Sequence, residues 1–227
     1  MNKLNRLHNY RFEIFFATII IILFSPIFLV NDEISDILNQ LAIILNFLAG
    51  IVLLSKNKRL MKLFFILVGI IIIFIIRDFF HHRPEIFLEY VKLACYFTFY
   101  IIVSFELIKQ VIKAKLINRN VIIGLMCGYI CLGLVCFFAF FTIEFIHPGS
   151  FNGVDFNLDV SGKKDALLYF SYISLLTIGY GDITPATVVA QKATMLTGLA
   201  GQFYMVILTA IIVGKYISQT SKESKNG

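Results

Sequence analysis

Six long apolar segments constrain the fold of this chain more than any other feature. An α-helix needs ~20 residues to cross ~30 Å of hydrocarbon, and each segment reaches or approaches that length. Of the 227 residues, 59% are hydrophobic and 15% are charged, whereas a soluble domain has about a quarter of its residues charged. The sequence therefore predicts an all-α integral membrane protein whose six transmembrane helices lie at residues 12–30, 37–54, 60–76, 86–108, 121–146 and 192–217.

The lysines and arginines lie mostly in the short loops between these segments. If the N-terminus is cytoplasmic, 14 of the 20 basic residues fall on the cytoplasmic side, which is the distribution that orients membrane proteins. We therefore expect a multi-pass protein of the cell membrane (plasma or inner), with both termini in the cytoplasm. Because the basic residues have this role, the net charge of +6 does not indicate a nucleic acid partner.

A shorter apolar segment, DALLYFSYISLL at 165–176, leads directly into TIGYGDITP at 177–185. The first is too short to cross a membrane, and short apolar helices that enter without crossing are re-entrant. In the second, glycine costs about 1 kcal/mol in a helix interior and Pro185 cannot continue a helix. We predict a re-entrant helix followed by a loop in which the backbone itself is functional.

An ion leaves water only if other oxygens replace its hydration shell. Successive backbone carbonyls can point to one side if the chain alternates between left-handed and right-handed dihedral angles, and glycine adopts the left-handed values without steric cost. The run places Gly179 and Gly181 at the positions that need a positive φ. It predicts rings of carbonyl oxygens from Thr177, Ile178, Gly179, Tyr180 and Gly181, with a hydroxyl from Thr177 at the inner end.

The run LLTIGYGDITP, with its short helix and two flanking apolar segments, resembles the selectivity filter of the tetrameric potassium channels. Ile178 stands where that family usually has valine. The resemblance is strong over about 119–220 and only architectural before that. It implies a six-transmembrane potassium channel, with potassium bound at Thr177, Ile178, Gly179 and Tyr180 and no cofactor besides the permeant ion. It also implies a homotetramer, because a closed ring needs four filter strands, and no enzymatic activity.

The residues expected to support the filter depart from the family pattern. Many relatives have two tryptophans in the pore helix, whereas this chain has no tryptophan and reads Tyr169 and Phe170 there. Tyr169 can still hydrogen-bond Asp182, but Phe170 cannot bond the Tyr180 hydroxyl. Where some relatives have a glutamate behind the filter, this chain has Ile173. The resemblance therefore leaves the gating behaviour of the filter in question, but not its selectivity.

The last apolar segment resembles the inner helix of that family. Gly201 lies where relatives often carry a hinge glycine, although a glycine here serves close helix packing equally well. The candidates for hinge and gate are Gly198, Gly201, Thr209 and Val213, while Gln202 and Thr209 are expected to face or flank the cavity.

The sequence predicts two domains. Residues 1–118 form a four-helix transmembrane unit with a basic linker, and residues 119–227 form the pore domain. The fourth segment has only Glu89, Lys92 and Glu106 as charged residues, rather than an arginine ladder, so strong voltage gating is not expected. The linker KQVIKAKLINRN at 109–120 predicts binding of anionic lipid headgroups, although a role only in coupling the fourth segment to the fifth stays open.

Three other functions stay open. A coupled potassium transporter uses four pore loops in one chain, usually with degraded filters, whereas this chain has one intact loop. A non-conducting regulatory subunit of a heteromeric potassium channel has the same motif but is silent when expressed alone. A non-selective channel is disfavoured because both glycines and the tyrosine of the filter are intact.

Overall fold

The computed structural model describes residues 10–28, 32–54, 58–80, 86–154 and 160–226. The described chain is mostly helical, with a two-stranded sheet, the loops around it and a non-helical linker at 114–118. Its elements, in order, are α1 Arg11–Phe28, α2 Asp32–Leu53, α3 Lys58–Phe80, α4 Ile86–Lys113, α5 Arg119–Ile146, β1 Phe151–Asn152, α6 Val160–Leu175, β2 Thr184–Pro185, α7 Val188–Phe203, a π-helix Tyr204–Leu208, and α8 Thr209–Asn226.

Within the described residues, three helices are long and apolar enough to cross a membrane. They are Tyr90–Lys113 in α4, Arg119–Ile146, and the continuous helix Val188–Ser221 that joins α7, the π-helix and α8. Leu41–Leu53 is a shorter apolar helix. The chain is thus an all-α membrane protein, while the spans expected at 12–30, 37–54 and 60–76 stay predictions.

The chain divides into two compact units. The first comprises Met1–Val111 and Asn118–Gly128, and the second comprises Ile112–Ile117 and Tyr129–Gly227. The first turns of α5 belong to the first unit because they pack on α1, where the thiol of Cys127 lies 3.6 Å from the carbonyl of Phe12. The simple division predicted between residues 118 and 119 stays a prediction.

Aromatic rings form the core of the first unit. Phe15, Phe47, Phe64 and Phe99 are fully buried. The rings of Phe47 and Phe99 stack with centroids 3.8 Å apart, and Phe64 meets Phe99 edge to face. A Cβ at Gly50 would come within 2.7 Å of the Phe99 ring, so glycine makes room for it.

A neutral polar cluster is buried beside these rings. Asn46 is completely buried; its amide donates to the Thr18 hydroxyl at 2.9 Å and accepts from Tyr100 at 3.1 Å. Because each polar atom has a partner, the cluster avoids the cost of an unsatisfied group. It holds α1, α2 and α4 together without any charge.

The second unit places α6 between the outer helix α5 and the last helix. β1 and β2 pair antiparallel, with Phe151 opposite Pro185 and Asn152 opposite Thr184. The amide of Ala186 extends this pairing to the carbonyl of Ser150 at 2.8 Å. The pairing therefore fixes the chain that follows the segment 177–183 to the loop after α5.

Candidate functional site

Along residues 177–181 the backbone φ angle alternates between positive and negative values. Thr177, Gly179 and Gly181 have φ angles of 58°, 57° and 84°. Ile178 and Tyr180 do not share this left-handed conformation, since Thr177 is the only positive-φ residue other than glycine in the described chain. This alternation is what turns successive carbonyls toward one side of the strand.

Close packing within the chain does not explain why positions 179 and 181 are glycine. A Cβ added at Gly179 or Gly181 meets no atom of the described chain within 4 Å. Glycine is therefore needed for its φ angle and not for close packing. Thr177 adopts a positive φ despite its branched Cβ, which typically costs 1–3 kcal/mol and concentrates at functional sites. The glycine pattern predicted the alternation, but it did not predict that Thr177 would share it.

Hydrogen bonds to the end of α6 hold Thr177 and the two residues after it in place. The carbonyl of Ile173 accepts the amides of Ile178 at 2.9 Å and Gly179 at 3.4 Å, and Thr177 donates to the carbonyl of Ser174 at 3.1 Å. These bonds satisfy the last carbonyls of the helix, which have no partner inside it. They also fix to the rigid helix the first residues of 177–181, which is the candidate filter segment and is called the filter segment below.

Two tyrosines attach α6 to α5. The Tyr172 hydroxyl donates to the carbonyl of Ile130 at 2.8 Å, and its ring fills the space that a Cβ at Gly133 would occupy. The Tyr129 hydroxyl donates to the carbonyl of Leu175 at 3.3 Å. Neither tyrosine was among the predicted site residues, because each acts through a backbone partner more than 40 positions away.

Glu144 organises the loop after α5. Its carboxylate is buried, with 6% of the residue exposed, and accepts the amides of Gly149 at 2.8 Å, Ser150 at 2.9 Å and Phe151 at 3.2 Å. This loop then pairs with β2 just after the filter segment. A lone carboxylate in an apolar segment is typically functional, so the sequence carried a signal for Glu144 that was not used.

The residues predicted to support the filter have different surroundings. A hydrogen bond from Tyr169 to the Asp182 carboxylate, then burial and the nearby charges, raises the pKa of Tyr169, because the phenol is stabilised in its neutral form. Phe170 packs instead between Phe140 and Phe151, with centroids 5.1 and 5.4 Å away. The loop after α5 also packs closely against the backbone of Asp182, since a Cβ at Gly153 would overlap the Asp182 carbonyl oxygen.

The hinge and gate candidates fall into different environments. Gly201 is buried, and a Cβ there would lie 2.1 Å from the carbonyl oxygen of Leu175, whereas a Cβ at Gly198 meets no described atom within 4 Å. The π-helix Tyr204–Leu208 follows Gly201, and Thr209 and Val213, both exposed in the single chain, lie beyond it. Gln202 approaches Thr177, with its amide nitrogen 3.4 Å from the threonine hydroxyl.

We expect Gly201→Ala to lower the stability of the second unit. The new methyl group meets backbone, which cannot rotate away, so α6 and α7 must separate at a cost of about 1–3 kcal/mol. Thermal unfolding followed by circular dichroism would measure the loss. Gly214→Ala is the control, because its Cβ meets no described atom within 4 Å. Equal stability of G201A and G214A would contradict the packing role and favour a hinge.

Residues 164–218 match a protein-family model described as an ion channel. The match supports an ion-channel function. It begins in α6 and ends in α8, and it therefore includes the alternating segment 177–181 and the helix with Gly198 and Gly201. No curated protein and no solved structure matched the chain. Together with the apolar helices, the match indicates a membrane channel rather than an enzyme.

Proposed function

We propose that the chain conducts potassium passively and selectively across the membrane. The observation that carries this proposal is the alternating backbone at 177–181. A backbone that alternates in this way turns successive carbonyl oxygens to one side, and rings of such oxygens replace the hydration shell of potassium. The proposed ion sites are formed by Thr177, Ile178, Gly179 and Tyr180, with Gly181 completing the strand.

The proposed assembly is a homotetramer. Non-helical backbone at membrane depth is tolerated only where protein covers it or where it lines a water-filled cavity. In the single chain, however, Tyr180 is 72% exposed and Ile178 is also exposed. The last helix leaves a further apolar surface, formed by Val188, Leu196, Phe203, Val206 and Ile217. Four copies around one axis would cover these residues and close the ring of carbonyls.

Purified protein in planar bilayers would test this function directly. Under potassium and sodium gradients, the expected reversal potential follows potassium, and single-channel currents exceed what a coupled carrier can pass. A reversal potential at zero under these gradients would overturn selectivity. Folded tetramers that stay silent at every voltage and pH would instead favour the regulatory subunit. Native mass spectrometry of the same sample gives the number of chains.

The proposed lipid contact lies where the linker meets the last helix. A pocket of about 710 Å³ is lined by Lys113, Lys115 and Lys215, among others. Lys215 donates to the carbonyls of Ile112 and Ala114, which fixes the linker turn to α8. Lys113 and Lys115 are exposed there, where an anionic headgroup gains about 1 kcal/mol per lysine.

We expect K113Q/K115Q to weaken the retention of anionic lipid. Native mass spectrometry after exchange into mixed phosphatidylglycerol and phosphatidylcholine would measure the retained phosphatidylglycerol, with a loss of about thirtyfold for two lysines at about 1 kcal/mol each. Lys192→Gln is the control because Lys192 is exposed near the opposite end of the last helix. Unchanged preference for phosphatidylglycerol in the double variant would contradict the proposed contact.

A further inference from the structure

Gln202 is the polar side chain of the last helix that reaches the filter segment. Its amide Nε2 lies 3.4 Å from the hydroxyl Oγ1 of Thr177, and both side chains are exposed in the single chain. The neighbouring Gly201 fixes this approach, because its contact with the Leu175 carbonyl sets the position of α7 against the end of α6. Gln202 is thereby held next to the base of the filter.

We propose that Gln202 lowers the cation affinity of the innermost ion site by donating a hydrogen bond to Thr177. This inference rests on the proposed potassium conduction and deepens it. A hydroxyl oxygen has two acceptor positions, and the amide of Gln202 occupies one of them. The donated N–H also withdraws electron density from the oxygen that faces the ion. Both effects weaken the hydroxyl as a cation ligand.

A weaker innermost site has a functional consequence. Conduction requires ions to bind well enough to enter the filter and weakly enough to leave it. In the proposed tetramer, four Gln202 amides surround the inner mouth, next to four Thr177 hydroxyls. Their combined effect limits how long an ion stays at the last site before it enters the cavity. Gln202 thus tunes the ion affinity of the filter without forming it.

The test measures block by Ba²⁺ applied from the cytoplasmic side. Ba²⁺ is close to K⁺ in size and carries twice its charge, so it reports the affinity of the innermost site strongly. Removing the donor in Gln202→Leu is expected to tighten Ba²⁺ block by about fivefold to tenfold, the factor that one net hydrogen bond represents. Gln202→Glu, which adds negative charge, should tighten it further.

Controls separate this inference from the function on which it rests. Gln191→Leu makes the same chemical change on an exposed part of α7 and should leave Ba²⁺ block unchanged. If Q202L does not assemble, Gln202→Asn retains polarity but shortens the side chain, and it should shift block in the same direction. Wild-type block in Q202L, Q202N and Q202E would overturn the inference while potassium selectivity stands. A wild-type protein that does not select potassium would overturn the proposed function and this inference together.

Discussion

Gly179→Ala is expected to abolish selective potassium conduction. An L-residue in the left-handed region costs about 1–2 kcal/mol, and Gly179 has a φ of 57°. In the proposed tetramer the cost applies in each of four chains, about 4–8 kcal/mol in total, so the conducting conformation becomes about a thousandfold rarer or more. The carbonyls around position 179 then turn away from the axis. Potassium flux from liposomes, compared with sodium flux, measures the loss.

Gly214→Ala is the matched control for this substitution. A Cβ at either position meets no described atom of the chain within 4 Å, so steric overlap within the chain is the same for both. They differ in backbone conformation, because Gly214 lies within the helix α8, where alanine is favoured by about 1 kcal/mol. Normal flux and selectivity in G179A would contradict the proposal that the left-handed backbone at this position is essential.

Glu144→Gln is expected to cause the largest loss of stability. The carboxylate accepts three backbone amides, two of them on one oxygen. A glutamine has one acceptor oxygen, so its NH₂ group must face at least one of these N–H donors. Each orphaned amide costs about 1–3 kcal/mol, and the remaining bonds lose their ionic character. We expect the free energy of unfolding to fall by about 2–5 kcal/mol.

Thermal unfolding of the purified protein, followed by circular dichroism, measures this change. Glu106→Gln is the control: Glu106 pairs with Lys109 at 2.8 Å, and a pair of that surface type contributes about 1 kcal/mol or less. Because the Glu144 loop pairs with β2 after the filter, E144Q is also expected to reduce potassium flux. Equal melting temperatures for E144Q and E106Q would show that the carboxylate does not hold the loop.

Local sequence rules were enough to predict the positive φ angles at Gly179 and Gly181. The demand for positive φ at Gly179 and Gly181 depends on each residue alone, and the short helix ends where the glycines begin. The apolar segments 86–108, 121–146 and 192–217 were visible for a similar reason, since length and composition are properties of one segment. A hydrogen bond between Tyr169 and Asp182 could be predicted because the family resemblance pairs these two positions.

The tertiary structure decided which residues hold the filter segment in place. Tyr129 and Tyr172 bond carbonyls far along the chain, and their neighbours in sequence give no sign of this. The sequence allowed Gly201 to be either a hinge or a site of close helix packing. Only the approach of the Leu175 carbonyl to Gly201 favours close packing. The positive φ of Thr177 depends on the bonds at the end of α6. The sequence by itself determined that the backbone is left-handed at Gly179 and Gly181, because the steric limits that favour glycine there act within one residue. Packing between distant helices determined what supports that backbone, because such contacts exist only once the chain is folded.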